Sequence, residues 1–384
     1  MEVPVFIVFS GYNPRAVVAF LRAASAAGAE IAILAAESDD AIFRTAYAPL
    51  VHLVRKSREL ALEYVLGDLE KIRGLYPNRR LIIAPSTEAL NRFLLKYRSV
   101  FENAGFCIPL VSEELYLSIS DKKAFSGLCR RTGLDVPFEY SSPEELRFPC
   151  VAKPIGYQNS AGQYLNPVIL TTAQAYSEFL EDHDSNDFFF QEFVVGNSHY
   201  LLYYFAGGGK VYRFSQQNLL QQVGGKSIVA AVPGRIHEKG IADCYESLFR
   251  SLGFRGFVMV ELRETPDGRW VMIEANPRFW GPSQLFLDSG RDFFRAFLAD
   301  CCPEFFVPPA WNLPSPEVYK EPSSPPAGAY FWSGGTASQD VAGTSVVELS
   351  PLAPRPADYA RWVGKDVYNR PDTIELFRDE RRRK

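Results

Sequence analysis

The first hundred residues constrain this chain most, because short unbroken apolar runs alternate there with helical stretches. VPVFIVFS at 3–10, AEIAILAA at 29–36 and LIIAPS at 81–86 are too apolar to leave one face in water. Strands of that kind are buried on both sides, as in parallel sheets. Between them, helical patterning covers RAVVAFLRAASAAG, a stretch at about 59–73 and another at 87–102. Asn13 suits a helix N-cap, Pro14 the first helical position and Gly28 the helix end. The alternation predicts a doubly wound α/β domain over 1–118. Its first loop, SGYNPR, lacks the G-x-G-x-x-G fingerprint, which argues against a dinucleotide site. The loop still offers backbone N–H groups and a helix N-terminus to an anionic substrate.

The pattern breaks around 107–120, and a second domain is expected from 119 to 305. A helix opens with Asp121-Lys122-Lys123 and ends at Gly133, with Pro137 beyond it. Then come a strand at 149–154 (PCVAKP), a loop at 156–163 (GYQNSAGQ), a strand at 168–170, a helix at about 173–182 and FFFQEFV at 188–194. HYLLYYFAGGGKVYRFSQQNLL reads as a long hairpin turning at Gly207-Gly208-Gly209, followed by a helix at roughly 238–252. Between Pro303 and Pro326 eight prolines fall in 24 residues, which resists regular structure and predicts an extended connection. Tyr330, Phe331, Trp332 and Trp362 make the remainder of 306–384 too aromatic for a disordered tail, so a small C-terminal appendage that packs back is expected.

Composition removes several classes of partner. A net charge of −4, from 41 basic and 45 acidic residues, lacks the basic excess that nucleic-acid binding calls for. No apolar run approaches the roughly 20 residues of a membrane span, and the amino terminus enters a strand pattern directly instead of a signal peptide. The expectation is a cytoplasmic protein with no nucleic-acid and no membrane partner, compatible with a homo-oligomer. The six cysteines show no CxxC spacing, so neither a zinc site nor a disulfide framework is expected.

Residues 256–281, GFVMVELRETPDGRWVMIEANPRFWG, carry the chemistry. Two strand-like runs meet at Pro266-Asp267-Gly268, a turn sequence, which predicts a β-hairpin. Alternation puts Val258, Val260 and Leu262 with Val271, Ile273 and Ala275 on one apolar face, and Glu261, Glu274 and Asn276 on the other. With a four-residue loop from Thr265 to Gly268, Glu261 lies opposite Met272 and diagonal to Glu274, roughly 7–8 Å away. A slip of one residue would separate the carboxylates onto opposite faces. Like charges about 4 Å apart repel by roughly 4 kcal/mol at an effective dielectric near 20, so such a pair is neutralised by a cation or by protonation. Oxygen donors without His or Cys favour Mg²⁺ or Mn²⁺, with substrate phosphates as further ligands. A solvated hairpin face with incidental acids is the alternative that spacing alone leaves open.

In chain order these pieces resemble the ATP-grasp superfamily, close to its carboxylate–amine ligase and carbamoyl-phosphate synthase-like branches. The resemblance rests on Asp121-Lys122, Val151-Ala152-Lys153-Pro154, a small-residue loop, Gln191-Glu192-Phe193-Val194, Glu261 and Glu274-Ala275-Asn276-Pro277-Arg278. It implies an α+β ATP-grasp fold with a lid subdomain at about 130–195, preceded by the doubly wound domain. It also implies that Lys122 and Lys153 contact ATP phosphates, that Ser160 and Gly162 lie in the loop closing over them, and that Gln191, Glu192, Phe193 and Val194 grip adenine. Glu261, Glu274 and Asn276 would hold Mg²⁺ or Mn²⁺, and Arg278, with Lys153, would act on the transferred phosphoryl group. The loop after Lys153 has only Gly156 and Gly162 where relatives carry a denser glycine run.

The activity implied is an ATP-dependent ligation of a small-molecule carboxylate to an amine through an acyl phosphate, releasing ADP and phosphate. Two alternatives share the motifs: a bicarbonate-activating carboxylase or carbamoylating enzyme, and a catalytically silent nucleotide-binding protein. The segment Val223-Gly224-Gly225-Lys226-Ser227 and the loop from Gly11 to Arg15 are candidates for contact with the second substrate.

Overall fold

The computed structural model describes residues 2–156, 162, 165–311, 313–336 and 346–382. Strands β1 (Val5–Phe9), β2 (Glu30–Ala35), β3 (Val51–Val54), β4 (Leu81–Ile83) and β5 (Phe106–Cys107) form a parallel sheet in the order β3-β2-β1-β4-β5. Helix α1 (Pro14–Ala26) packs on the side of Phe6 and Val8, while α2 (Leu62–Leu75) and α3 (Glu88–Lys96) pack on the side of Val5, Ile7 and Phe9. Both faces are therefore covered, which is why the strands read as unbroken apolar runs. The four-residue β3, VHLV, is too short and too exposed to stand out in the sequence. A further helix, α4 (Arg98–Asn103), precedes β5.

Asn13 does stand at the N-cap of α1, but it takes a left-handed backbone (φ 50°) and its side chain caps nothing. Its Nδ2 instead donates to the carbonyls of Ser86 (3.0 Å) and Phe279 (3.1 Å), joining three segments distant in sequence. The preceding Gly11 has φ 85°, and a Cβ there would sit 2.2 Å from that of Ala36. The loop can pack this closely only with glycine.

Helices α5 (Glu113–Ser120) and α6 (Lys122–Arg131) lead onward, with α5 running through the expected boundary at 118. Asp121 caps α6, its carboxylate accepting from the N–H of Ala124 at 2.7 Å. A small antiparallel sheet follows, β7 (Val168–Leu170), β6 (Cys150–Pro154) and β8 (Phe188–Glu192) in that order, backed by α7 (Ala173–Asp182). The large sheet contains β9 (Asn197–Phe205), β10 (Val211–Gln222), β11 (Ile228–Pro233), β12 (Gly256–Glu264) and β13 (Trp270–Asn276), ordered β13-β12-β9-β10-β11. Its Val258, Val260 and Leu262 face pack on α6 and α8 (Gly240–Ser251).

The opposite face of the large sheet meets the N-terminal domain. Phe257, Met259 and Leu202 join α1, α9 (Gln284–Asp288) and α10 (Phe293–Cys301) in one core. Within it Phe279 packs 5.3 Å from Phe20, 5.0 Å from Phe257 and 4.8 Å from Phe294, ring centre to ring centre. The C-terminal segment adds strands to the large sheet: β14 (Tyr330–Phe331) pairs with β11, and β15 (Val346–Glu348) with β10. The sequence expectation was a small appendage that packs back, with no strands assigned to it; two- and three-residue strands carry no period to read. Among the described residues no helix is long and apolar enough to cross a membrane.

Candidate active site

The site is built on the β12–β13 hairpin, whose register differs from the sequence expectation in two ways that cancel. The strands stop at Glu264 and Trp270, and the N–H of Thr265 closes on the carbonyl of Arg269 at 3.0 Å. The tip is thus Pro266-Asp267-Gly268, with Gly268 at φ 83°, an odd-numbered turn that shifts the pairing by one from the four-residue loop. On its own this slip would place Glu261 and Glu274 on opposite faces. A β-bulge restores them: Leu262 pairs with Met272, but Glu261 pairs with Glu274, and Ile273 drops out. The two glutamates are direct cross-strand neighbours instead of diagonal ones. The apolar partners of Val258, Val260 and Leu262 are consequently Met272 and Ala275, instead of Val271, Ile273 and Ala275.

Each carboxylate has its own surroundings. Glu261 is buried; it accepts from the hydroxyl of Ser198 at 3.2 Å, and Arg263 lies 3.4 Å from the same oxygen. Ser198 in turn accepts from Asn218 (3.0 Å), whose Oδ1 accepts from Gln216 (2.6 Å), a buried polar chain across β12, β9 and β10. Burial, and then the Glu274 charge, push the Glu261 carboxyl above the usual range despite Arg263. Glu274 moves the opposite way: burial opposes ionisation, but Lys122, the Asn276 amide, Lys153 and Arg278 outweigh it. Asn276 donates to Glu274 at 2.7 Å, and Lys122 Nζ lies 3.6 Å from its other oxygen. Arg278 donates to the carbonyl of Phe279 (3.0 Å) and to Asn276 Oδ1 (3.4 Å). Two carboxylates and an amide oxygen suit a hard divalent cation that takes phosphate and water as its other ligands. No group of three His, Cys, Asp or Glu side chains gathers to hold a metal among the described residues.

Lys153 lies on β6, directly paired with Phe189, as Val151 is with Gln191. Directly opposed residues share a face, so Lys153 and Gln191 lie on the side of the small sheet toward the hairpin. Lys153 is only 5% exposed and its Nζ donates to the carbonyl of Ile273 at 2.9 Å. Burial pushes its ammonium down to about 8 even though Glu274 and Glu261 favour the charged form. Gln191 is fully buried, and neither its amide oxygen nor its nitrogen has a hydrogen-bond partner. An orphaned amide of this kind suits a ligand edge that both donates and accepts, as adenine does. Glu192 is engaged elsewhere, accepting from the N–H of Phe138 at 3.0 Å. Phe193 is exposed and Val194 half-buried just beyond β8. Gly162, at φ 77°, has no neighbour within 4 Å of where a Cβ would stand, whereas Ser160 lies outside the described residues.

From the glutamates a cavity of about 900 Å³ runs between the large sheet and the carboxyl ends of the N-terminal strands. Glu261, Glu274, Asn276 and Arg278 line one end. Arg15, Lys226 and Ser227 also line it, so the first loop and the segment at 223–227 are both brought to this space. Arg15 donates to Ser227 at 2.7 Å. Sequence reasoning missed Arg55, Arg58, Tyr200 and Gln221, which line the same cavity. It also missed Ser198, Gln216 and Asn218. Their signal was the unbroken polar stretch from Ser215 to Asn218 in β10 and from Asn197 to His199 in β9, which come together only once the strands are in register.

No protein-family model matches the sequence, and no curated protein matches it. Solved structures do. The chain is similar to the ADP complex of N5-carboxyaminoimidazole ribonucleotide synthetase (TM-score 0.61, 17% identity, 82% of this chain and 80% of that one). It is similar to L-amino acid ligase from Bacillus licheniformis (0.57, 13%, 78% and 74%) and to the biotin carboxylase–β,γ-ATP complex from Campylobacter jejuni (0.59, 13%, 80% and 72%). At these identities the likeness establishes a shared fold.

Proposed function

We propose that this chain, which has the ATP-grasp fold, is an ATP-dependent ligase that joins a carboxylate to an amine through an acyl phosphate. The observation that carries the reading is the gathering of Lys153, Lys122 and Arg278 around the Glu261–Glu274 pair, whose carboxylates line one end of the cavity. Three cations and two carboxylates around one point suit the terminal phosphates of ATP together with a divalent ion. Glu261, Glu274 and Asn276 would hold Mg²⁺ or Mn²⁺, which when bound supplies charge stabilisation to the polyphosphate. Lys153, anchored by Ile273, and Lys122, beside Glu274, would hold phosphate oxygens as point charges. Gln191 would read the adenine edge.

The carboxylate substrate lies in the cavity and attacks the γ-phosphorus in line, and ADP leaves. Arg278, whose guanidinium is turned by Asn276 and Phe279, offsets charge on the transferred group. The amine then attacks the acyl carbon, forming the amide and releasing phosphate. No protein nucleophile is required; the chain supplies position and charge.

ADP release, followed with Mg²⁺ and panels of acids and amines, tests this. ADP that forms only when both an acid and an amine are present supports the ligase. Dependence on bicarbonate instead supports a carboxylase or carbamoylating enzyme, and nucleotide binding without turnover supports a silent binding protein.

A further inference from the structure

Arg15, Arg55 and Arg278 all line the cavity, and among the described residues none has a carboxylate oxygen within 4.0 Å. Arg15, 8% exposed, donates to the Ile228 carbonyl (3.1 Å), the Tyr330 hydroxyl (3.2 Å) and Ser227. Arg55, 6% exposed, donates to the carbonyls of Ser57 (3.0 Å) and Arg58. Neutral acceptors orient a guanidinium and leave its charge uncompensated. The acids nearest Arg55 are occupied: Asp40 accepts from Ser10 and from the N–H groups of Ala36 and Ile42, and Asp68 pairs with Lys71 at 2.9 Å. Arg291 makes the contrast. It is as buried and has no carboxylate within reach, but it does not line this cavity; its donors tie down the carbonyls of Trp311, Leu313 and Pro314 in the Pro-rich connection.

Different segments hold the three guanidinium groups: Arg278 is held by the Phe279 carbonyl, Arg15 by Ser227 and Ile228, where β11 begins, and Arg55 by the loop that follows β3. Of the other acids that line the cavity, Glu88 is paired with Arg92 at 2.9 Å and Glu59 is exposed. One carboxylate accounts for Arg278 and leaves the buried charges of Arg15 and Arg55 without a carboxylate within 4.0 Å. We propose that the acid substrate is at least dianionic, with its reacting carboxylate at Arg278 and a second anionic group, carboxylate or phosphate, at the cavity wall formed by Arg15 and Arg55. This rests on the ligase reading and adds the substrate class.

Binding is measured calorimetrically on the full chain with Mg²⁺ and a non-hydrolysable ATP analogue. The probes are monocarboxylates of graded chain length, the matching α,ω-dicarboxylates and the matching ω-phosphorylated acids. Dianions are expected to bind at least about tenfold more tightly than monoanions, and the better of the two dianion series identifies the second group as carboxylate or phosphate. Arg55→Met should reduce dianion binding to the monoanion level, and Arg55→Lys should recover part of it. Equal binding of monoanions, no binding by any dianion, or a folded Arg55→Met chain that keeps the preference would each overturn the proposal. Because the readout is binding, a chain that releases no ADP can still show the preference. A working ligase that prefers monoanionic acids refutes only the substrate class.

Discussion

The ammonium of Lys153 donates to the carbonyl of Ile273 at 2.9 Å, and Ile273 is the bulged residue that brings Glu274 opposite Glu261. One irregularity in one strand thus does two things. It aligns the two carboxylates, and it frees a backbone acceptor that fixes a buried cation beside them. The small sheet and the hairpin are coupled through this bond, so movement of one relative to the other changes the distance between the lysine and the glutamates.

Lys153→Met should lower ATP affinity by about 10- to 100-fold, the worth of a charge-assisted hydrogen bond to phosphate. The pH dependence follows from the lysine's pKa of about 8, below its ordinary 10.5. Burying the ammonium costs stability in full below about pH 8, and that cost fades as pH rises to 10.5. Bound phosphate favours the charged form, so above pH 8 ATP binding should draw in a proton, while near pH 7 it should not. Titration calorimetry in buffers of different ionisation enthalpy measures this uptake, which should vanish in Lys153→Met.

Glu274→Gln should abolish ADP formation while leaving the fold intact. In the unaltered chain Mg²⁺ with ADP should raise Tm by mass action, about 2.7 kcal/mol of stabilisation at a ligand concentration 100 times Kd. The variant should lose the Mg²⁺-dependent part of that shift. Full activity, or an undiminished Mg²⁺ effect, would refute the metal assignment.

Gln191→Leu separates a ligand contact from a core residue. Its amide is buried without partners, so the substitution should stabilise the nucleotide-free chain by about 1 kcal/mol. Adenine nucleotides should bind at least several-fold more weakly, as fluorescence or calorimetric titration would read. Unchanged nucleotide affinity would make Gln191 a core residue only.

Phe279→Ala should cost about 3–5 kcal/mol in a urea melt, the range for a buried aromatic ring. Phe279 packs against Phe20 of α1 and Phe257 of β12, and its carbonyl accepts from both Asn13 and Arg278. The loss should therefore also weaken acid binding in the cavity, which lies along this contact. A destabilisation below about 1 kcal/mol would show that the ring carries little of the interface.

The elements and the chemistry of their side chains were legible in the linear chain. Apolar runs such as VFIVF name strands buried on both sides, Pro14 and Asp121 mark helix starts, and Glu-Ala-Asn-Pro-Arg after an apolar strand marks an oxygen-rich site. Those signals are local, set by propensity, period and turn chemistry. Which of those groups meet depended on how distant segments pack. A three-residue turn tip and a bulge at Ile273, each worth one residue of register, must be summed before Glu261 faces Glu274, and neither leaves a trace in the alternation. Arg55 looks like any surface arginine in the sequence, and it becomes a cavity residue because β3 lies two strands from β1 with its following loop turned to the large sheet. Register and burial are properties of packing between distant segments, so they appear only when the chain has closed on itself.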